Sequence, residues 1–199
     1  MREGHVKRLE FFFDFGSPTT YLAHTQMPVI AKRTGAEVIY RPMLLGGVFK
    51  ATGNQSPAAI PAKSKWMDGD LKAFARRYGV PYARNPWFPV NTMILMRGAV
   101  AMQQQGRLAS YVNAIFRAMW VEPQNMNDPQ IVGEVLAKAG FEPRQMLALV
   151  EEQGVKDALR ANTEEAVSRG VFGAPTFFVG DRMFFGQDRL DFVEEALGN

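Results

Sequence analysis

Ser17-Pro18-Thr19-Thr20 follows the aromatic run EFFFDF and precedes a helical pattern. Ser then Pro is a helix start: the hydroxyl accepts from free amides, and proline has its φ preset and no amide to leave unpaired. At the end of a strand such a start also gathers unpaired N–H groups and the positive end of a helix dipole, which together stabilise an anion. A thiolate there would gain about 0.3–1 kcal/mol from the dipole, and a hydroxyl donor would add about 1.5–3 kcal/mol. The sulfur must come from a ligand, because the chain has no cysteine. That absence excludes disulfides, thiolate metal sites and a protein thiol nucleophile. The two histidines, His5 and His24, lack the spacing of a zinc site, so no metal is expected.

A second feature is GVFGAPTFFVG, residues 170–180. Ala174-Pro175-Thr176 leads into a strand, where proline belongs at an edge, at the first residue or in a special turn. A cis Ala174–Pro175 bond would account for its place; a plain strand-opening proline is the alternative. Gly53-Asn54 reads as a turn pair. Gln187-Asp188 opens the last helical pattern, where the dipole favours an acid. Trp66, Tyr82, Trp87 and Phe88 are candidates for an apolar pocket wall, and Met93, Met96 and Met102 for the core.

These residues need elements to position them. Residues 8–14 and 37–42 are aromatic or β-branched runs bounded by turn formers and read as strands. Pro18 to Thr34 reads as a helix with Tyr21, Leu22 and Ile30 on a buried face, Gly35 at its end and a kink or restart at Pro28. A βαβ unit of this kind implies parallel strands. From 57 to 169 the period becomes helical: Leu108, Tyr111, Val112, Ile115, Phe116 and Met119 form one apolar stripe. Asp128-Pro129 starts a helix running to Gly140, and Pro143 starts another toward Gly154. PTFFVG and RMFF, joined by Gly180-Asp181, form a hairpin, and Gln187 to Leu197 closes the chain as an amphipathic helix. The domains are therefore 1–56 with 170–199, interrupted by a helical insertion at 57–169 that PAAIPAKSKW links in.

A chain of 199 residues with 47% hydrophobic and 22% charged residues can bury one good core. The net charge of +3 and pI near 9.3 come from scattered Lys and Arg, which suits small anionic ligands and gives no nucleic-acid footprint. The apolar stretch near the N-terminus is too short for a secretory signal, and no run reaches the roughly 18–20 apolar residues of a membrane span. The chain reads as cytoplasmic, with no membrane partner.

The strand–SPxx–helix opening, the late Gly-x-Pro-Thr hairpin ending in FGQDRL, and the middle segments RPMLLGGVFKATGN and KSKWMDGDLKAFARRYGVP together resemble the DsbA-like branch of the thioredoxin superfamily. Within it the chain is similar to kappa-class glutathione transferases and, more closely, to the 2-hydroxychromene-2-carboxylate isomerase family. The resemblance implies an α/β, thioredoxin-like fold with an inserted all-helical domain, and glutathione as cofactor. It places Ser17 as the catalytic donor to the glutathione thiolate, assisted by the helix amides near Thr19. Asn54, Ala174, Pro175, Gln187 and Asp188 would complete the cofactor site. Ala174 would pair with the cysteinyl backbone, and Asp188 with the ligand's ammonium. Lys50, Lys63, Lys65 and Asp70 lie in the bordering segment; Lys50 and Lys63, with Asn54, would hold a small aromatic carboxylate substrate. The implied reaction interconverts 2-hydroxychromene-2-carboxylate and trans-o-hydroxybenzylidenepyruvate or a close analogue. The alternatives are a kappa-like transferase or peroxidase, and a non-catalytic binding module. A dithiol oxidoreductase is excluded by the missing cysteines. The resemblance also suggests a homodimer.

Overall fold

The computed structural model describes residues 7–198, so His5 lies outside the described residues. Four strands form one sheet in the order β2-β1-β3-β4. β1 (Arg8–Phe13) runs parallel to β2 (Glu37–Pro42) and antiparallel to β3 (Thr176–Val179), which pairs antiparallel with β4 (Arg182–Phe185). Helix α1 (Pro18–Thr34) makes the crossover between the parallel strands, and Gly35, at φ 71°, ends it in the left-handed conformation that glycine adopts freely. Pro28 does not restart the helix. Burial of Tyr21, Leu22, Met27 and Ile30 fixes α1 on the sheet and offsets the hydrogen bond that Pro28 cannot make.

Side chains of β1 alternate between the two faces of the sheet, and both faces are covered. Leu9, Phe11 and Phe13 join the larger core, while Phe12 joins a smaller one with Val48, Ala166 and Phe178. Glu10, on the Phe12 face, accepts from Arg169 at 2.7 Å, and the Arg169 guanidinium lies 3.8 Å from the Phe178 ring centroid.

A helix absent from the expectations, α2 (Leu45–Thr52), follows β2. Gly46-Gly47 and the lack of a side-chain cap hide it in the sequence. Gly47 is there for packing: a Cβ would lie 3.1 Å from Thr163 Cγ2. The helical block holds α3 (Pro61–Tyr78), α4 (Met93–Gln104), α5 (Leu108–Trp120), α6 (Pro129–Lys138), α7 (Pro143–Glu151) and α8 (Gln153–Ser168), and α9 (Leu190–Gly198) ends the chain. Within PAAIPAKSKW, Pro57–Ala59 is a 3-10 turn and Pro61 occupies the first position of α3. The helix from Pro143 stops at Glu151, and Gly154 falls inside the first turn of α8. The closing helix is preceded by a separate 3-10 turn, Gln187–Arg189.

The α5 stripe packs as its period predicts. Tyr111, Val112, Ile115, Phe116 and Met119 are buried, and the Phe116 ring lies 4.9 Å from that of Phe15 and 6.3 Å from that of Phe13. The helical block and the sheet thus share one core cluster. Truncating any of these buried rings to alanine would cost about 3–5 kcal/mol. Met96 and Met102 are in that core, and Met93 packs against it. Among the described residues no helix is long and apolar enough to cross a membrane, and no cluster of metal-ligating side chains occurs.

Candidate active site

β1 ends at the junction that carries Ser17, and Asp14 ties this junction down. Asp14, 1% exposed, accepts the Gly16 N–H through Oδ1 and the Leu45 N–H through Oδ2, each at 2.8 Å. The start of α1 is thereby fixed to the start of α2. Burial pushes the Asp14 carboxyl above its ordinary range, while bonds from Gly16, Leu45 and Thr92 pull it down. Sequence reasoning did not place Asp14 in the site; its signal was an acid set between aromatic residues in FFFDF.

Ser17 is the N-cap of α1, buried, with its Oγ accepting the Thr20 N–H at 3.2 Å. The same oxygen lies 2.9 Å from Thr19 Oγ1 and donates to the Ala174 carbonyl at 3.2 Å. Thr19 Oγ1 points to that carbonyl too, at 3.4 Å. Two hydroxyls from one end of the chain therefore converge on a single backbone oxygen from the other. The Ala174–Pro175 bond is cis. The first turn of α1 contains no acid, so its positive end is uncompensated there.

A cavity of about 500 Å³ opens in front of these groups. Ser17, Thr19, Asn54, Lys63, Ala174, Gln187 and Asp188 line it. Lys50, Lys65 and Pro175 are not on its wall; the Pro175 carbonyl accepts from the Gly186 N–H at 3.0 Å and ties the start of β3 to the turn before Gln187. Asn54 braces its loop, donating to the Phe172 carbonyl and accepting the Gln55 N–H, both at 2.8 Å. Gln187 is 3% exposed and its Oε1 accepts from the Tyr78 hydroxyl at 2.7 Å. Asp188 lies 2.6 Å from the Arg189 guanidinium. Asp70, also on the wall, is pushed up by burial and then by the charge of Asp188, so two carboxylates share one end of the cavity.

Another part of the wall is aromatic. Trp66, Tyr82 and Phe88 line it, Trp87 does not, and Trp120 joins them from the end of α5. Trp120 stacks near Tyr82 at 6.4 Å and near Phe88 at 6.0 Å, and its Nε1 donates to the Phe15 carbonyl at 2.8 Å. The indole therefore joins the helical block to the β1–α1 turn. Tyr82 is pushed up to about 12, chiefly by burial, and stays a hydrogen-bond donor at neutral pH. Asp68 and Arg84 complete this side. Trp120 and Arg84 were not among the expected wall residues, since nothing local marks two positions so far in sequence from Ser17.

Comparison with known proteins identifies the family and the fold. The family model for the DSBA-like thioredoxin domain matches residues 8–198. A 2-hydroxychromene-2-carboxylate isomerase of Sphingobium xenophagum is 32% identical, over 96% of this chain and 98% of its own. Glutathione S-transferase kappa 1 of Caenorhabditis elegans is 28% identical, over 96% and 91%. A solved 2-hydroxychromene-2-carboxylate isomerase structure superposes with a TM-score of 0.86 at 29% identity, covering 96% of this chain and 94% of that one. On sequence and fold, the chain belongs to the DsbA-like thioredoxin-domain family, in its 2-hydroxychromene-2-carboxylate isomerase branch.

Proposed function

We propose that the chain is a glutathione-dependent isomerase interconverting 2-hydroxychromene-2-carboxylate and trans-o-hydroxybenzylidenepyruvate, or a close aromatic analogue. The observation that carries this reading is the convergence of the Ser17 and Thr19 hydroxyls on the Ala174 carbonyl, beside an apolar cavity, in a chain without cysteine.

The donors and acceptors on the wall fit glutathione. A ligand amide N–H that takes up the Ala174 carbonyl releases both hydroxyls to donate to a neighbouring sulfur. Asp70 and Asp188 complement an ammonium, and Lys63 complements a carboxylate. When bound, glutathione supplies a nucleophilic sulfur whose reversible addition to the conjugated carbon lets the former double bond rotate, with no net redox change. Ser17 and the N-terminal amides of α1 stabilise negative charge on that sulfur both before addition and on its departure. Ser17 remains a hydrogen-bond donor and does not attack the substrate. The apolar walls exclude water from the reacting bond.

Following chromene absorbance with and without glutathione tests this directly. The expected result is isomerisation that saturates with glutathione. Isomerisation that is indifferent to glutathione would overturn the cofactor assignment. Robust conjugation of a chloronitrobenzene without isomerisation would favour the transferase reading, which the kappa-class relative keeps open. No saturable glutathione binding by calorimetry would leave a binding module. In the same reading residues 57–169 act as an insertion domain, and the protein works in the cytoplasm as a homodimer; light scattering reads the last point.

A further inference from the structure

We propose that Arg84 selects an anionic aromatic substrate by taking its carboxylate, an assignment that rests on the reading of this cavity as an aromatic-carboxylate site. Arg84 is on the cavity wall, in the segment between α3 and α4. Arg117, Arg160, Arg169 and Arg189 each have a carboxylate partner. Arg84 instead donates from Nη2 to Ser64 Oγ at 3.3 Å, and among the described residues no carboxylate lies within ion-pair distance of it. Asp68 on the same wall pairs through Oδ2 with Lys72 at 2.7 Å and leaves Oδ1 buried without a partner, but it forms no ion pair with Arg84.

The backbone carrying Arg84 is pinned on both sides. The Ala83 N–H donates to the Trp120 carbonyl at 2.8 Å. Asn85, 1% exposed, donates to the carbonyls of Met119 and Gln124 and accepts the Trp87 N–H. Nearby Tyr82 and Phe88 pack against Trp120, and the three rings form an aromatic face of the cavity. The Arg84 charge pulls the Tyr82 hydroxyl down against the larger upward push of burial, so the guanidinium is within electrostatic reach of a phenol on the same wall. A planar aromatic acid lying on this face meets a flat fork of N–H donors that Ser64 leaves largely free. Lys63 offers only a point charge on the exposed first turn of α3.

The test is a tryptophan-fluorescence titration of the full chain with o-hydroxycinnamate and with its neutral methyl ester. Arg84→Met is expected to weaken binding of the acid by about tenfold or more and to leave the ester within about twofold, with Arg84→Lys recovering part of the loss. In turnover, Arg84→Met is expected to raise KM for the chromene carboxylate with kcat and glutathione affinity held. Equal losses for acid and ester, or no loss for the acid, would overturn the assignment. An inactive wild-type chain that still prefers the acid through Arg84 would remove the proposed reaction and keep this inference. An active enzyme whose KM ignores Arg84→Met would do the reverse.

Discussion

On the sheet side of the cavity, contacts run through the backbone: the Ala174 carbonyl, the Thr20 amide and the first turn of α1, with short hydroxyls from Ser17 and Thr19. On the helical side they run through the large side chains of Tyr82, Arg84, Phe88 and Trp120, three of them on a segment without regular structure. Backbone groups suit a ligand that never varies, because no side-chain substitution removes them. Side chains suit a partner that differs between relatives, since each can be exchanged without disturbing the sheet. Under the proposed function, this contrast gives the cofactor the sheet wall and the substrate the helical wall.

Ser17→Ala is the severest way to break that division. It removes the hydroxyl donor from the sheet wall and the N-cap from α1, so initial rates should fall roughly 10²–10³-fold. Urea unfolding should register only about 0.5–2 kcal/mol. Wild-type-like turnover in this variant would move the chemistry to another residue.

Trp120→Phe cuts the side-chain bond from the helical wall to the β1–α1 turn and leaves the Phe15 carbonyl without its donor. A loss of about 1–3 kcal/mol in stability is expected. If the walls act as one unit, kcat and KM should deteriorate together; a change in KM alone would mean that they act separately.

The smallest effect concerns another joint. His24 of α1 meets Tyr40 of β2 through Nδ1 at 2.7 Å and Asn113 of α5 through Nε2 at 2.9 Å. Burial holds its pKa below the ordinary 6.5, against an opposing bond from Asn113. The unfolded chain therefore binds the proton more readily, and the contribution of His24 to stability is complete above pH 6.5. It declines as pH falls through 6.5 toward the folded value. Urea midpoints measured from pH 7.5 down to 5 should drop in the wild type and drop less in His24→Gln; identical slopes would remove His24 as the cause.

Much of the sheet wall was legible in the sequence because its signals are local. Ser17-Pro18, Gly35 and Gly180-Asp181 each encode their own turn or cap, and the elements they bound fall where their spacing places them. Side-chain periodicity likewise identified the buried face of α5. The helical wall was less legible because proximity there is set by tertiary packing. Arg84 and Trp120 come together only through Ala83 and Asn85, neither of which carries a recognisable motif. Local signals also misled where packing overruled them. Gly154 looked like a helix stop but lies in a first turn, and Gly46-Gly47 announced no helix although Gly47 permits close approach of α8.

The hydrogen bond from Trp120 to Phe15 has a consequence for redesign. An engineer seeking to admit larger ring systems would naturally trim this indole, the bulkiest side chain fully buried beside the pocket. That cut also releases the carbonyl two residues before Ser17, so broader scope and faster turnover would trade against each other. Widening at Trp66, which is 67% exposed on the same rim, avoids the coupling. Libraries that diversify the rim before the floor should therefore retain more active members.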